Sequence, residues 1–248
     1  MNAAAAAFAL APALAVGSFL NVVVARVPER RSILRPPSSC GACAAEIAWR
    51  DNVPVASYLL LGGRCRNCDA RISPLYPAVE LVTAALIVAS FAVFGATAWA
   101  VLAAGFCAIL VALSVIDAQH RIVPNRIVLP AAAVALVAHT AIDPSLAWLA
   151  WAVVAAGGLF LVVLAYPKGL GMGDVKLALL LGAMLGASVT VALMIGLFAA
   201  LVPSAILFAR HGASARKMAV PLVPFLAVGA LAALFFGDAL LGAYLSLF

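Results

Sequence analysis

Two aspartates and four cysteines are the residues whose types and spacing suit chemistry in this chain of 248 residues. Asp117 stands shortly before Val123-Pro124-Asn125, and Asp174 closes the run Gly171-Met172-Gly173-Asp174, followed by Val175-Lys176. Two carboxylates that meet in a dry setting cannot both ionise. One proton is shared, so one group can act as base toward water while the other polarises a carbonyl. Glycines before the second aspartate permit close backbone approach at a helix start. The alternative is structural, with Asp117 capping a helix end and Asp174 serving as N-cap of a helix from Val175. Cys40-x2-Cys43 and Cys65-x2-Cys68 form two knuckles separated by 21 residues. That spacing suits a closed tetrahedral zinc site, with disulfides or redox chemistry as the rival readings. Cys107 lies in an apolar run and reads as a packing residue, while His120, His139 and His211 give no metal pattern.

The elements that must position these groups are membrane helices. Hydrophobic residues make up 67% of the chain and charged residues only 10%, with a mean hydropathy of +1.19. A soluble domain has about 25% charged residues, and a disordered chain is poor in apolar ones. Both classes are excluded. The first apolar run, Ala3 to Val24, has no basic segment before it and four arginines soon after it, at 26, 30, 31 and 35. It therefore reads as a retained span with an outside N-terminus rather than a cleaved signal. Further apolar runs at 77–96, 97–116, 127–142, 146–166, 175–187, 188–209 and 219–240 predict about eight transmembrane helices in an all-α polytopic membrane protein. The stretch 175–209 is either two short spans turning near Gly186–Ser188 or one long tilted helix.

Charge orients the bundle. Counting from an outside N-terminus places 26–76, 117–126, 167–174 and 210–218 in the cytoplasm. These segments, with Lys176, hold all fifteen lysines and arginines. The net charge of +6 is thus a topology signal, and no dense basic run of the kind that tracks nucleic acid is present. Asp117 and Asp174 both fall at the cytoplasmic boundary. The chain divides into a first transmembrane helix (1–25), a cytoplasmic tetracysteine insert that binds zinc (26–76) and a transmembrane core (77–248). In a reducing cytoplasm, zinc is favoured over disulfides.

The sequence resembles the type IV prepilin leader peptidases. The resemblance begins at Gly17-Ser18-Phe19-Leu20-Asn21-Val22-Val23 and runs through the two cysteine pairs, with Trp49-Arg50-Asp51-Asn52-Val53-Pro54 between them. Tyr76-Pro77, Val79-Glu80-Leu81, Asp117 with Val123-Pro124-Asn125, and Gly171 to Lys176 complete it. It departs at Gly41, where many members have proline, and at Leu75, where many have arginine. The resemblance implies a membrane aspartic endopeptidase of the bacterial inner membrane, with Asp117 and Asp174 as its catalytic pair. Its substrates would be type IV prepilins or the pseudopilins of type II secretion, cleaved after a short basic leader. Many members also methylate the new N-terminus with S-adenosylmethionine. Glu46, Asp51 and Asp69 of the insert are candidates to attract that donor's sulfonium or accept the released proton, and Glu80 is a candidate to attract the basic leader. The remaining readings are a peptidase without methyl transfer and a zinc-stabilised membrane scaffold or transporter.

Overall fold

A computed structural model describes residues 3–246 except 168, 213 and 215–219. Lys168, Arg216 and Lys217 of the basic connections therefore lie outside the described residues. The helices are α1 (Ala3–Arg26), α2 (Ala56–Leu60), α3 (Leu75–Phe94), α4 (Ala98–His120), α5 (Asn125–Ile142), α6 (Ala147–Ala165), α7 (Met172–Leu185), α8 (Val189–His211) and α9 (Val223–Leu245). Among the described residues the only β-structure is two isolated bridges in the insert. All-helical structure is what the bilayer imposes, because a helix satisfies its own backbone hydrogen bonds without water. Among the described residues six helical runs are long and apolar enough to cross a membrane, with Met172–His211 counted as a single run, and Val223–Gly237 is a shorter apolar helix. The chain is a multi-pass membrane protein.

Contacts divide the chain into two compact units, Met1–Ala112 and Leu113–Phe248. In the first, α1 packs along α3. Between two membrane helices packing, not water exclusion, drives association, so small residues mark the contact. Ala9, Ala13 and Ala84 are buried there with Ile87 and Ala104. At Gly17 a Cβ would come within 2.6 Å of the Glu80 Cα, so glycine lets the two backbones meet. The insert hangs between α1 and α3. Arg26 ends α1 and fastens the following loop by donating to the carbonyls of Ser32 (3.0 Å) and Pro37 (3.4 Å).

The second unit holds the end of α4 and α5 through α9, with α7 packed against α5, α6 and α9. A helix surrounded in this way must be apolar on every side. Val175 and every residue from Leu177 to Leu185 except Leu179 are buried in α7. Gly182 lets α7 touch α6, where a Cβ would lie 2.7 Å from the Ala152 Cα, and Gly196 lets α8 approach Leu226 of α9. On the outward faces Leu161, Leu164, Phe198 and Leu201 are each more than half exposed, as lipid-facing residues are.

The 175–209 stretch is two helices that part at Gly186–Ser188, with Gly186 at φ +55° and ψ −133°. That backbone conformation is essentially restricted to glycine. A Cβ there would also come within 2.9 Å of the Trp148 ring. Gly186→Ala should therefore destabilise the bundle by about 1–3 kcal/mol, seen as a lower thermal midpoint in detergent. Gly157→Ala, in α6 with open space where its Cβ would sit, should leave the midpoint unchanged or raise it. Equal effects from the two variants would contradict this account of the break.

Candidate active site and metal centre

Asp117 sits in the last turn of α4 and is 7% exposed. Its Oδ2 accepts a hydrogen bond from the backbone N–H of Val223 at 3.0 Å, and Leu222 N–H also interacts with it. Val223 opens α9, so the donor is one of the N–H groups that a helix start leaves without an intrahelical partner. Arg121, which follows α4 in a left-handed conformation (φ +55°), is within electrostatic reach of Asp117.

Asp174 is the third residue of α7, whose N-cap is Gly171. The alternative reading of Asp174 as N-cap is corrected accordingly, because the helix starts at Met172 rather than Val175. The Asp174 Oδ2 accepts from Gly171 N–H at 3.2 Å, while Asp174 N–H donates to the Gly171 carbonyl at 3.1 Å. The carboxylate is thus satisfied within its own helix start. The two glycines of the motif have different tasks. Gly171 is in ordinary extended backbone (φ −88°, ψ 151°). At Gly173, by contrast, a Cβ would press on the Val123 side chain at 3.0 Å. One residue further along, Lys176 Nζ donates to Asn125 Oδ1 at 2.9 Å. The Val123-Pro124-Asn125 turn and the Gly171–Lys176 segment therefore lie against each other. Asp117 and Asp174 are within electrostatic range of one another.

In the first unit the four cysteine sulfurs all lie within 4.8 Å of one another, with 3.8 Å between the Sγ atoms of Cys40 and Cys68. A tetrahedral ion with bonds of about 2.3 Å to sulfur separates its ligands by about 3.8 Å, whereas a disulfide needs about 2.05 Å. The cysteines are free thiols grouped as a metal cage. The two knuckles have the same build. Cys40 N–H donates to Ala45 and accepts, through its carbonyl, the Ala44 N–H; Cys65 does the same with Ala70 and Asp69. Ala44 (φ +57°) and Asp69 (φ +60°) hold the equivalent left-handed position. The N–H groups of Cys43 and Ala42 hold the Cys40 thiol down at about 6. The Ala70 N–H pulls the Cys68 thiol the same way, but the surrounding Cys43, Cys65 and Cys40 sulfurs push it up to about 12. Four sulfurs grouped this closely could hold a metal ion.

Two sequence profiles account for nearly the whole chain. The Bacterial Peptidase A24 N-terminal domain matches residues 12–94, and the Type IV leader peptidase family matches residues 104–247. The chain belongs to the type IV leader peptidase family. Relatives named prepilin leader peptidase/N-methyltransferase include one from Bacillus subtilis (strain 168), 34% identical over 94% of this chain and 95% of its own length. Another, from Burkholderia pseudomallei (strain 1026b), is 35% identical over 93% of this chain and 85% of its own. A third, from Pseudomonas aeruginosa, is 33% identical over 94% and 90%. No solved structure matches the chain.

Within this leader peptidase fold, the acidic residues of the first unit are placed unequally. Asp51 receives a two-pronged hydrogen bond from Arg66 (2.8 and 2.6 Å), which ties the 49–51 turn to the second knuckle. The Arg66 guanidinium holds the Asp51 carboxyl below the usual carboxylate range. Asp69 pairs with Arg64 at 3.3 Å on the surface, and Glu46 is exposed. Glu80 is buried, with its oxygens facing Val55 N–H (2.7 Å) and the Asn21 amide (3.5 Å). Its carboxylate thereby links the insert to α1. His139 is buried, stacks on Trp148 with ring centroids 3.9 Å apart, and lies at the far end of α5 from Asn125. His120 and His211 are exposed, as solvated residues are.

The residues that sequence reasoning missed are Leu222 and Val223. Their contribution is main-chain N–H, which any residue but proline can supply. The available signal was the pair of prolines, Pro221 and Pro224, around them in an otherwise apolar run. Proline near a helix start costs nothing and marks the first turn. For the metal centre, Cys40→Ser should lower bound metal from one ion per chain to well under one, measured by metal analysis of protein purified without chelator. The helical circular dichroism of the spans should persist. Full metal content in the variant would contradict the four-thiolate cage.

Proposed function

We propose that Asp117 and Asp174 are the catalytic pair of a prepilin leader peptidase and that the same chain methylates the N-terminus it creates. The family and its relatives' names support both activities. The observation that carries the residue assignment is that two carboxylates from α4 and α7 lie within electrostatic range, each supplied with a backbone N–H. One carboxylate takes a proton from water as the water oxygen attacks the scissile carbonyl, and the other gives its proton to the carbonyl oxygen. Collapse passes a proton to the leaving amine, so the products are the leader's carboxylate and a free α-amine. Backbone donors keep each carboxylate oriented for these transfers.

The substrates are type IV prepilins or pseudopilins, whose basic leader stays in the cytoplasm while the following apolar helix enters the bilayer. The protein is read as lying in the bacterial inner membrane, with dyad and insert facing the cytoplasm. The arginine and lysine distribution supports that orientation. A first helix (1–25), a tetracysteine insert (26–76) and a transmembrane peptidase core (77–248) describe the division of labour. Zinc is the ion that a cage of Cys40, Cys43, Cys65 and Cys68 suits best, with a structural role. S-adenosylmethionine, when bound, supplies a methyl group on a sulfonium. The acceptor amine has an ordinary pKa of about 8, leaving a useful neutral fraction at cellular pH.

Asp117→Asn and Asp174→Asn should each reduce cleavage of a leader-junction peptide by at least about a thousandfold while leaving membrane insertion intact, as removal of a catalytic acid or base does. Cleavage is followed by mass spectrometry of the two products. Near wild-type cleavage by either variant would remove that residue from the pair.

A further inference from the structure

Glu80 has no part in hydrolysis at Asp117 and Asp174, yet it occupies an expensive position. It lies in the second turn of α3, an apolar span, and is only 8% exposed. A buried carboxylate calls for a named partner. The hydrogen-bond partners of Glu80 are neutral. Val55 N–H donates to Oε2 at 2.7 Å and Asn21 Nδ2 to Oε1 at 3.5 Å, the same amide also donating to the Tyr76 carbonyl at 3.1 Å. Among the described residues the ion pairs are Arg31–Glu29, Arg64–Asp69 and Arg66–Asp51, so no described cation sits within pairing distance of Glu80. A brace between α1, α3 and the insert needs an acceptor but no charge, since a glutamine carbonyl would accept the same N–H. The charge remains to be accounted for.

The same carboxylate lines a cavity of about 770 Å³ in the first unit, shared with Asn21, Tyr58, Tyr76, Arg50 and Arg71. That volume is in the range of cofactor sites. Aromatic rings are favourable neighbours for a cation, and the arginines suit a carboxylate. The lining thus carries both signs. Asp51 and Glu46 line the cavity too, but Arg66 meets the charge of Asp51 and Glu46 is exposed, so Glu80 is the buried carboxylate among the three.

We propose that this cavity receives the methyl donor and that Glu80 is the anionic contact for its sulfonium. This rests on the methyl-transfer reading given above. In that reaction the amine nitrogen forms a bond to the methyl carbon as the carbon–sulfur bond breaks. The electron pair goes to sulfur, and the amine's proton passes to water. The donor changes from a cation to a neutral thioether, so a buried carboxylate holds the loaded donor and releases the used one.

The test is equilibrium binding to the full-length, metal-loaded protein in detergent, comparing S-adenosylmethionine with S-adenosylhomocysteine. Wild type should prefer the sulfonium by about tenfold, the factor given by 1.4 kcal/mol. Glu80→Gln should bring the two affinities within about twofold, chiefly by weakening the sulfonium, and Glu80→Asp should restore part of the preference. Glu80→Gln should keep its bound metal and its helical circular dichroism, which shows that its fold is intact. Equal binding of the two compounds by wild type, failure to bind either, or a preference retained in Glu80→Gln would overturn the proposal. So would Glu80→Asp behaving as Glu80→Gln, or a Glu80-dependent preference seen only for a peptide with a free over an acetylated N-terminus. If wild type leaves a cleaved substrate unmethylated with the donor present, the parent reading fails instead. If it methylates while the Glu80 variants keep the preference, only the assignment to Glu80 fails.

Discussion

A carboxylate carried on an apolar bundle must be given hydrogen-bond donors, and in this protein helix starts supply them. The N–H of Val223 at the head of α9 reaches Asp117, and the N–H of Gly171 at the head of α7 reaches Asp174. A helix start suits this task because its first N–H groups have no intrahelical partner and its dipole favours negative charge. The rest of the second unit keeps those ends in place. Helix α7, apolar on all sides, is clasped by α5, α6 and α9. Gly182 allows α6 to close on it, Gly173 allows Val123 to close on its first turn, and Lys176 is hydrogen-bonded to Asn125. A rigid apolar helix with its first turn fixed by contacts at both levels is a suitable mount for a reacting group.

The first unit has a different foundation. Its insert has few buried apolar residues, and one 3-10 turn, the short α2, two knuckles and paired charges replace a core. In a small segment of this kind a metal bound to the four cysteines would supply folding energy. The four sulfurs provide the point at which the two knuckles meet. The Arg66–Asp51 pair extends that point to the 49–51 turn, and Glu80 links the insert to α1 and α3. In the proposed reading, methyl transfer uses the pocket of the first unit and hydrolysis the two carboxylates of the second.

Much of this was legible in the sequence because membrane helices have a strong compositional signal. The span limits fall within a few residues of the apolar runs, and the turn at Gly186–Ser188 falls where small residues interrupt a long apolar stretch. The knuckles were legible because thiolate ligation fixes residue type and spacing together. Main-chain chemistry left no such trace. Nothing in the identity of Val223 announces that its N–H meets a side chain 106 positions away. Likewise the start of α7 at Met172, which moves Asp174 from the N-cap to the third helical position, depends on backbone geometry that a Gly-x-Gly-Asp string leaves open. The burial of Glu80 was hidden for a related reason: its partners are a backbone N–H and an amide on another helix.

The central claim is that Asp117 and Asp174 work as one unit sharing one proton. The most direct test is the pH dependence of leader cleavage by the purified protein, with substrate well below KM, across the range in which it stays folded. A pair that must hold a single proton gives a bell-shaped profile whose two limbs belong to the pair and not to either residue. A single-limbed profile, flat on one side of its rise while the protein remains folded, would contradict the account.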